Sequence, residues 1–195
     1  MKKVVAFDFD GTITKQDTLL EFLKFTHGWK SYLYLLFLSP ILLAYKLGII
    51  KNYIAKEKLF SLFYKGWTIE DFNSSCSLFA STIETYSSAL ECIKEHISNN
   101  NDVIIISASL ENWIYPWAIS HNIHKVLATQ VEVSEGKITG TFLSKNCYGQ
   151  EKVNRLLQYF PMRDNYYLIV YGDSKGDKEL LEYADERHFK KFNIK

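Results

Sequence analysis

Short apolar runs in this chain alternate with stretches whose apolar residues recur every three or four positions. Val4–Phe9, Val103–Ser107 and Tyr166–Asp173 are rich in β-branched or aromatic residues and bounded by polar or glycine-containing turns, which predicts buried strands. Between and after them, Ser87–Ser98, Glu111–His121, Gln150–Tyr159 and Lys178–Ala184 carry helical periodicity. Apolar strands alternating with helices predict βαβ units, hence a parallel sheet with helices on both faces. Thr129–Phe142 differs: it alternates polar and apolar about Ser134-Glu135-Gly136 and reads as a hairpin.

From about Lys15 to Tyr86 the alternation gives way to mostly helical patterns, interrupted at Pro40 and Gly48. The expected fold is therefore α/β: a Rossmann-like three-layer parallel-sheet core built from residues 1–14 and 87–195, with residues 15–86 inserted as a helical cap. Composition supports a packed chain, since nearly half of its 195 residues are apolar and 23% are charged. A net charge of +1 with no polybasic run provides no field for nucleic acid, so none is expected as a partner. Cys76, Cys92 and Cys147 are odd in number and far apart, which suggests neither a disulfide framework nor a zinc knuckle. The acids of MKKVVAFDFD come too early for a secretory signal, so the expected location is cytoplasmic.

The candidate chemistry gathers at strand ends. Asp8 and Asp10 follow the first strand, Ser107 ends the second, and Asp173 follows the third. In open α/β sheets the carboxyl ends of strands line the ligand crevice, so residues remote in sequence would converge there. Lys152 and Asp177 lie near helix starts. Several carboxylates with oxygen-only chemistry suit a hard cation, and Mg2+ is the expected cofactor. Solvated acids in ordinary turns, with Asp177 capping a helix, are the alternative, but two other readings fail. A calcium loop opened at Asp8 would need Glu where Leu19 stands, and GDSKGDK lacks the phosphate-loop spacing.

DFDGT at 8–12, Ser107 after an apolar strand, Lys152 at a helix start and GDSKGD at 172–177 resemble, in order, the four motifs of the haloacid dehalogenase superfamily. A cap between the first two motifs resembles its phosphoserine-phosphatase-like branch. SAS at 107–109, the GKITG hairpin and CYGQEK at 147–152 are most similar to a group containing C-type phosphatidylglycerophosphatases. The resemblance implies a phosphate-ester substrate and a set of roles. Asp8 would be the nucleophile and Asp10 the general acid and base. Lys152 would offset charge on the nucleophile and the phosphoryl group. Gly11, Thr12, Ser107 and Ala108 would bind phosphate, and Asp8, Asp10, Asp173 and Asp177 would hold the metal. Asp17 matches the position that recognises a substrate amine in phosphoserine phosphatases, but the partner cap Arg of those enzymes is missing, because the first Arg of this chain is Arg155. Alternatives are a soluble small-molecule phosphatase, a phosphotransferase and a non-catalytic membrane-associated adaptor.

The cap adds an uncharged stretch, Ser31–Tyr45, flanked by Lys30 and Lys46, with Trp29, Tyr32, Tyr34, Tyr45 and Tyr53 nearby. As one helix it would reach roughly 22 Å, short of a hydrocarbon core of about 30 Å, and Pro40 favours a break. It is expected either to pack as a helical hairpin, within the cap or at a dimer interface, or to meet the inner face of a membrane peripherally through residues 29–53, which would suit a lipid phosphate.

Overall fold

The computed structural model of the protein describes residues 2–37 and 52–192. Its sheet has the order β3-β2-β1-β6-β7, with every neighbouring pair parallel. The strands are β1 (Lys2–Phe7), β2 (Asp102–Leu110), β3 (Lys125–Thr129), β6 (Tyr166–Gly172) and β7 (Glu186–Phe189), while β4 (Val131–Ser134) and β5 (Lys137–Phe142) form a separate antiparallel hairpin. β1 occupies the centre, pairing Val4–Phe7 with Asp102–Ile105 on one side and Lys2–Phe7 with Tyr166–Tyr171 on the other. Its two-residue period divides the core. Val5 and Phe7 join one apolar cluster, and Val4 and Ala6 join a second with Val153, Leu156, Leu180 and Leu181. Helices α7 (Gln150–Tyr159) and α8 (Lys178–Tyr183) cover that second face. On the first face lie α5 (Ser87–Ser98) and α6 (Glu111–Ser120), which gives the three layers.

Between β1 and β2 the chain forms α1 (Thr18–His27), α2 (Lys30–Phe37), α3 (Asn52–Tyr64) and α4 (Ile69–Ala80), a helical cap. Its apolar side chains join the first-face cluster. Phe22 stands 5.0 Å from Trp113 of α6 and 5.3 Å from Tyr64, ring centre to ring centre, and Phe60 and Phe72 complete the aromatic group. The remainder of the apolar Ser31–Tyr45 stretch, with Pro40, Tyr45, Lys46 and Gly48, lies outside the described residues. Among the described residues no helix is long and apolar enough to cross a membrane.

Several expectations need correction. The first strand ends at Phe7, because from Phe9 the chain turns back on itself: the Phe9 carbonyl accepts from the amides of Ile13 (2.9 Å) and Thr14 (3.0 Å). Thr129 belongs to β3 rather than to the hairpin, which begins at Val131. Neither β3 nor β7 stands out as an apolar run. Both are sheet edges and read KVLAT and ERHF, too short or too polar to resemble buried strands. The hairpin turns through Glu135 and Gly136, both at positive φ (49° and 74°), as a two-residue primed turn requires.

The hairpin docks on the cap. Gly66 donates to the Ile138 carbonyl (2.8 Å), Ile138 donates to that of Trp67 (2.9 Å), and the Phe142 amide donates to Glu57 of α3 (3.0 Å). Gly140 makes this approach possible: at φ +93° a Cβ there would stand 2.4 Å from Ser61 Oγ. Gly140→Ala is therefore expected to cost about 1–3 kcal/mol, read from urea unfolding midpoints. Adding Ser61→Gly should recover the collision but not the backbone strain, so only part of the loss returns.

Candidate active site

Asp8 continues the line of β1, its amide donating to the Tyr171 carbonyl (2.9 Å). Gly11 then carries φ +76°, and a Cβ on it would lie 2.4 Å from Asp173 Oδ2, so the tight turn and the neighbouring carboxylate both require glycine. This turn sends Asp8 and Asp10 into different surroundings. Asp8 Oδ1 accepts from Lys152 Nζ at 2.6 Å. The same ammonium donates to Asp177 Oδ1 (2.5 Å) and to the Ile106 carbonyl (2.9 Å), so all three of its protons are used. Lys152 is only 2% exposed. Burial works against its charge, but Asp8 and Asp177 more than compensate and hold it protonated.

Asp177 is fixed from the other side as well. Its Oδ2 accepts from the amides of Asp173 (3.1 Å) and Ser174 (2.9 Å) and from the Ser174 hydroxyl (2.9 Å). Burial would raise this carboxyl, yet Lys152 and Ser174 bring it below its ordinary value. Asp8 goes the other way. Burial, with repulsion from Asp177 and Asp10, pushes it up to about 7 against the pull of Lys152. Asp173, half-buried, is also raised, by burial first and then by Asp177, while the Thr12 hydroxyl at 3.4 Å opposes.

Asp10 faces the cap. Its Oδ1 accepts from the Thr18 hydroxyl (2.6 Å) and amide (3.2 Å), and its Oδ2 accepts a short bond from Ser109 Oγ. Trp113 Nε1 donates to Thr18 Oγ1 (3.0 Å) and fixes that hydroxyl. Burial, helped by Asp17, raises Asp10 to about 6, with Lys56 and the two hydroxyls opposing. Such a carboxyl can give and take a proton near neutrality.

Asp8, Asp10, Gly11, Ser107, Ala108, Lys152 and Asp173 line one cleft of about 580 Å3, with Asp17, Lys56 and Lys175 around them. Asp177 lies buried immediately behind. Ser107 is fully buried, its Oγ accepting from the Ser109 amide (3.1 Å), where the β2–β3 register shifts. Thr12 turns its hydroxyl to Asp173, and Asp17 caps α1 by accepting from the amides of Leu19 (3.0 Å) and Leu20 (3.1 Å). Three residues at the site had escaped sequence reasoning. Lys56 of α3 reaches across from the cap to donate to the Ala108 carbonyl (3.0 Å), but in YIAKEK it looks like any solvated helical lysine. Ser109 is the last residue of SAS but was given no role there, and Thr18 carries no signal beyond proximity to DFDGT.

Asp8, Asp173 and Asp177 each offer one carboxylate oxygen, and these lie within 4.8 Å of one another. Three carboxylates against one ammonium leave the cluster short of positive charge, and an all-oxygen donor set of this kind fits a hard divalent cation such as Mg2+.

Comparison with known proteins shows the family and the fold. The sequence profile of the haloacid dehalogenase-like hydrolases matches residues 5–182. The chain belongs to this family. Protein CicA of Caulobacter vibrioides is 30% identical over 98% of this hydrolase and 87% of CicA. A protein of unknown function from Bordetella pertussis shares the fold with a TM-score of 0.83 at 18% identity, over 96% of this chain and 89% of the other. So does a phosphoserine phosphatase solved as a phospho-aspartyl intermediate analogue, with a TM-score of 0.66 at 20% identity, over 95% and 85%.

The raised carboxyls determine how the metal-free hydrolase should respond to pH. Asp8 and Asp10 bind protons more tightly folded than unfolded, so they contribute stability at low pH that is lost as pH rises through about 6 to 7. In chelator, these two groups should lower the melting temperature between about pH 5 and pH 8, and Mg2+ should raise it more at the higher pH. Thermal melts at both pH values check this; an equal Mg2+ effect at each would contradict the cluster as the binding site.

Proposed function

We propose that this hydrolase is a Mg2+-dependent phosphomonoesterase working through an aspartyl phosphate. The carrying observation is that Asp8 and Asp10, one residue apart, share a cleft yet occupy separate environments, one among carboxylates and a buried ammonium, the other among hydroxyls. Two carboxyls so divided can hold opposite protonation states.

In the first step an Asp8 oxygen attacks phosphorus, the ester oxygen departs, and protonated Asp10 gives it a proton. In the second, Asp10 takes a proton from water as that water attacks the phosphoryl group, which releases inorganic phosphate and restores Asp8. Lys152 remains beside Asp8 throughout and offsets charge gathering on the phosphoryl oxygens. Ser107 and the backbone about Gly11 and Ala108 bind and orient those oxygens, while Thr12 acts through Asp173. Asp8, Asp173 and Asp177, with the Asp10 carbonyl, would hold Mg2+, which when bound would favour ionised Asp8 and neutralise phosphoryl charge. The phosphoserine phosphatase solved as a phospho-aspartyl analogue lends support through shared fold.

For the leaving group we favour a lipid phosphate such as phosphatidylglycerophosphate over phosphoserine. The 15–86 segment has no Arg to fork a carboxylate, and its cations in the cleft are Lys15 and Lys56. Initial rates on serine, sugar, nucleotide and lysophospholipid phosphates in detergent test this; equal turnover of all four would remove the lipid preference.

Asp8→Asn should abolish phosphate release from an aryl phosphate while circular dichroism stays native. Asp10→Asn should lower kcat by about 10²–10⁴-fold. Full activity of the Asp8 variant would refute the nucleophile, and activity undiminished by chelator would refute the metal. Transfer of phosphate to an added alcohol in place of water would make the enzyme a phosphotransferase.

A further inference from the structure

Helix α2 does not bury all its apolar side chains. Trp29, Tyr32 and Leu36 recur at i, i+3 and i+7, so they share one face, and they are 68%, 60% and 69% exposed. The turn that opens the helix is well made: Ser31 is buried, and its hydroxyl donates to the Gly28 carbonyl at 2.7 Å. Three large neighbouring apolar side chains left in water on an ordered helix mark a surface that something covers.

The charge pattern says what. From Phe22 to Lys56 the sequence contains no Asp or Glu, against Lys24, Lys30, Lys46, Lys51 and Lys56. Lys24 is engaged with Glu21 of its own helix (2.7 Å), whereas Lys30 is exposed next to Trp29. A tryptophan and a tyrosine beside a free lysine are the side chains that settle at the head-group level of a bilayer, with aromatic bodies in the acyl boundary and the cation on lipid phosphate. A second copy of this chain fits less well. Two-fold pairing of this face would bring the Lys30 side chains together with no acid within the stretch to separate them.

We propose that the Trp29–Leu36 face is a peripheral docking surface for an anionic phospholipid bilayer, with α2 lying in the plane of the interface. The proposal stands independently of the catalytic reading. No residue of the face is among those placed in the cleft, so membrane binding and phosphate release can fail separately.

The full chain is mixed with vesicles of phosphatidylcholine containing about one third phosphatidylglycerol, and with vesicles of phosphatidylcholine alone, then floated on a density gradient. Flotation with the anionic vesicles is expected, weakening as salt is raised. Trp113 and Trp117 are buried and Trp67 is half-buried against the core, so a blue shift of tryptophan emission on binding should be lost in Trp29→Phe. The triple variant Trp29→Ser, Tyr32→Ser, Leu36→Ser should reduce the bound fraction by about tenfold or more, with melting temperature and aryl phosphate hydrolysis unchanged. Absence of flotation with either vesicle overturns the proposal, as does binding that the triple variant retains. A wild-type dimer that the triple variant dissociates, with no vesicle binding, would assign the face to a second copy instead.

Discussion

One ammonium group organises this site. Lys152 is buried with Asp8 on one side, Asp177 on another and the Ile106 carbonyl on a third. Removing water from a lysine is costly unless each proton finds an acceptor, and here each does. The same contact ties the end of β1, the middle of β2, the start of α7 and the loop after β6 to one point. Asp177 transmits the constraint further, because its second oxygen holds the amides of Asp173 and Ser174. Position and electrostatics are thus set together: the groups that locate Asp8 also determine the charge around it.

The helical cap is bound into this arrangement by packing rather than simply lying over it. Phe22, Phe60, Tyr64 and Phe72 belong to the same apolar cluster as Trp113 and Trp117 beneath the sheet. Trp113 serves both sides, packing its ring at a tilt against Phe22 while its indole N–H orients Thr18, which in turn holds Asp10. Asp10 is therefore positioned by a chain of contacts running through the aromatic core. On the far side Lys56 bridges α3 to the Ala108 carbonyl, a cap-borne cation where a substrate would enter. The hairpin lies against α3 and the loop after it, where Gly140 lets its backbone approach Ser61.

Much of this was legible in the order of residues. Three apolar runs, each ending in a polar group, sufficed to predict a parallel sheet with a site at one rim, since a buried strand must emerge where its polar residues begin. DFDGT and GDSKGD nominated Asp8, Asp10, Asp173 and Asp177 only together with Ser107 and Lys152, through the order and strand context of the four motifs. The edge strands were not legible. KVLAT and ERHF pair along one side only, so nothing obliges them to carry a continuous apolar signal.

What sequence alone determined, then, was the inventory of chemistry and the alternation of elements, both of which depend on local periodicity and turn composition. What only the tertiary structure decided was which atoms meet: that Lys152 lies between two carboxylates, that Asp10 belongs to Thr18 and Ser109, and that Lys56 reaches the cleft. Those pairings span up to 144 residues of chain and arise from how helices stack on a twisted sheet. A lysine on a helix has the same local signature whether it points to solvent or into a buried acidic cluster, and only packing distinguishes the two.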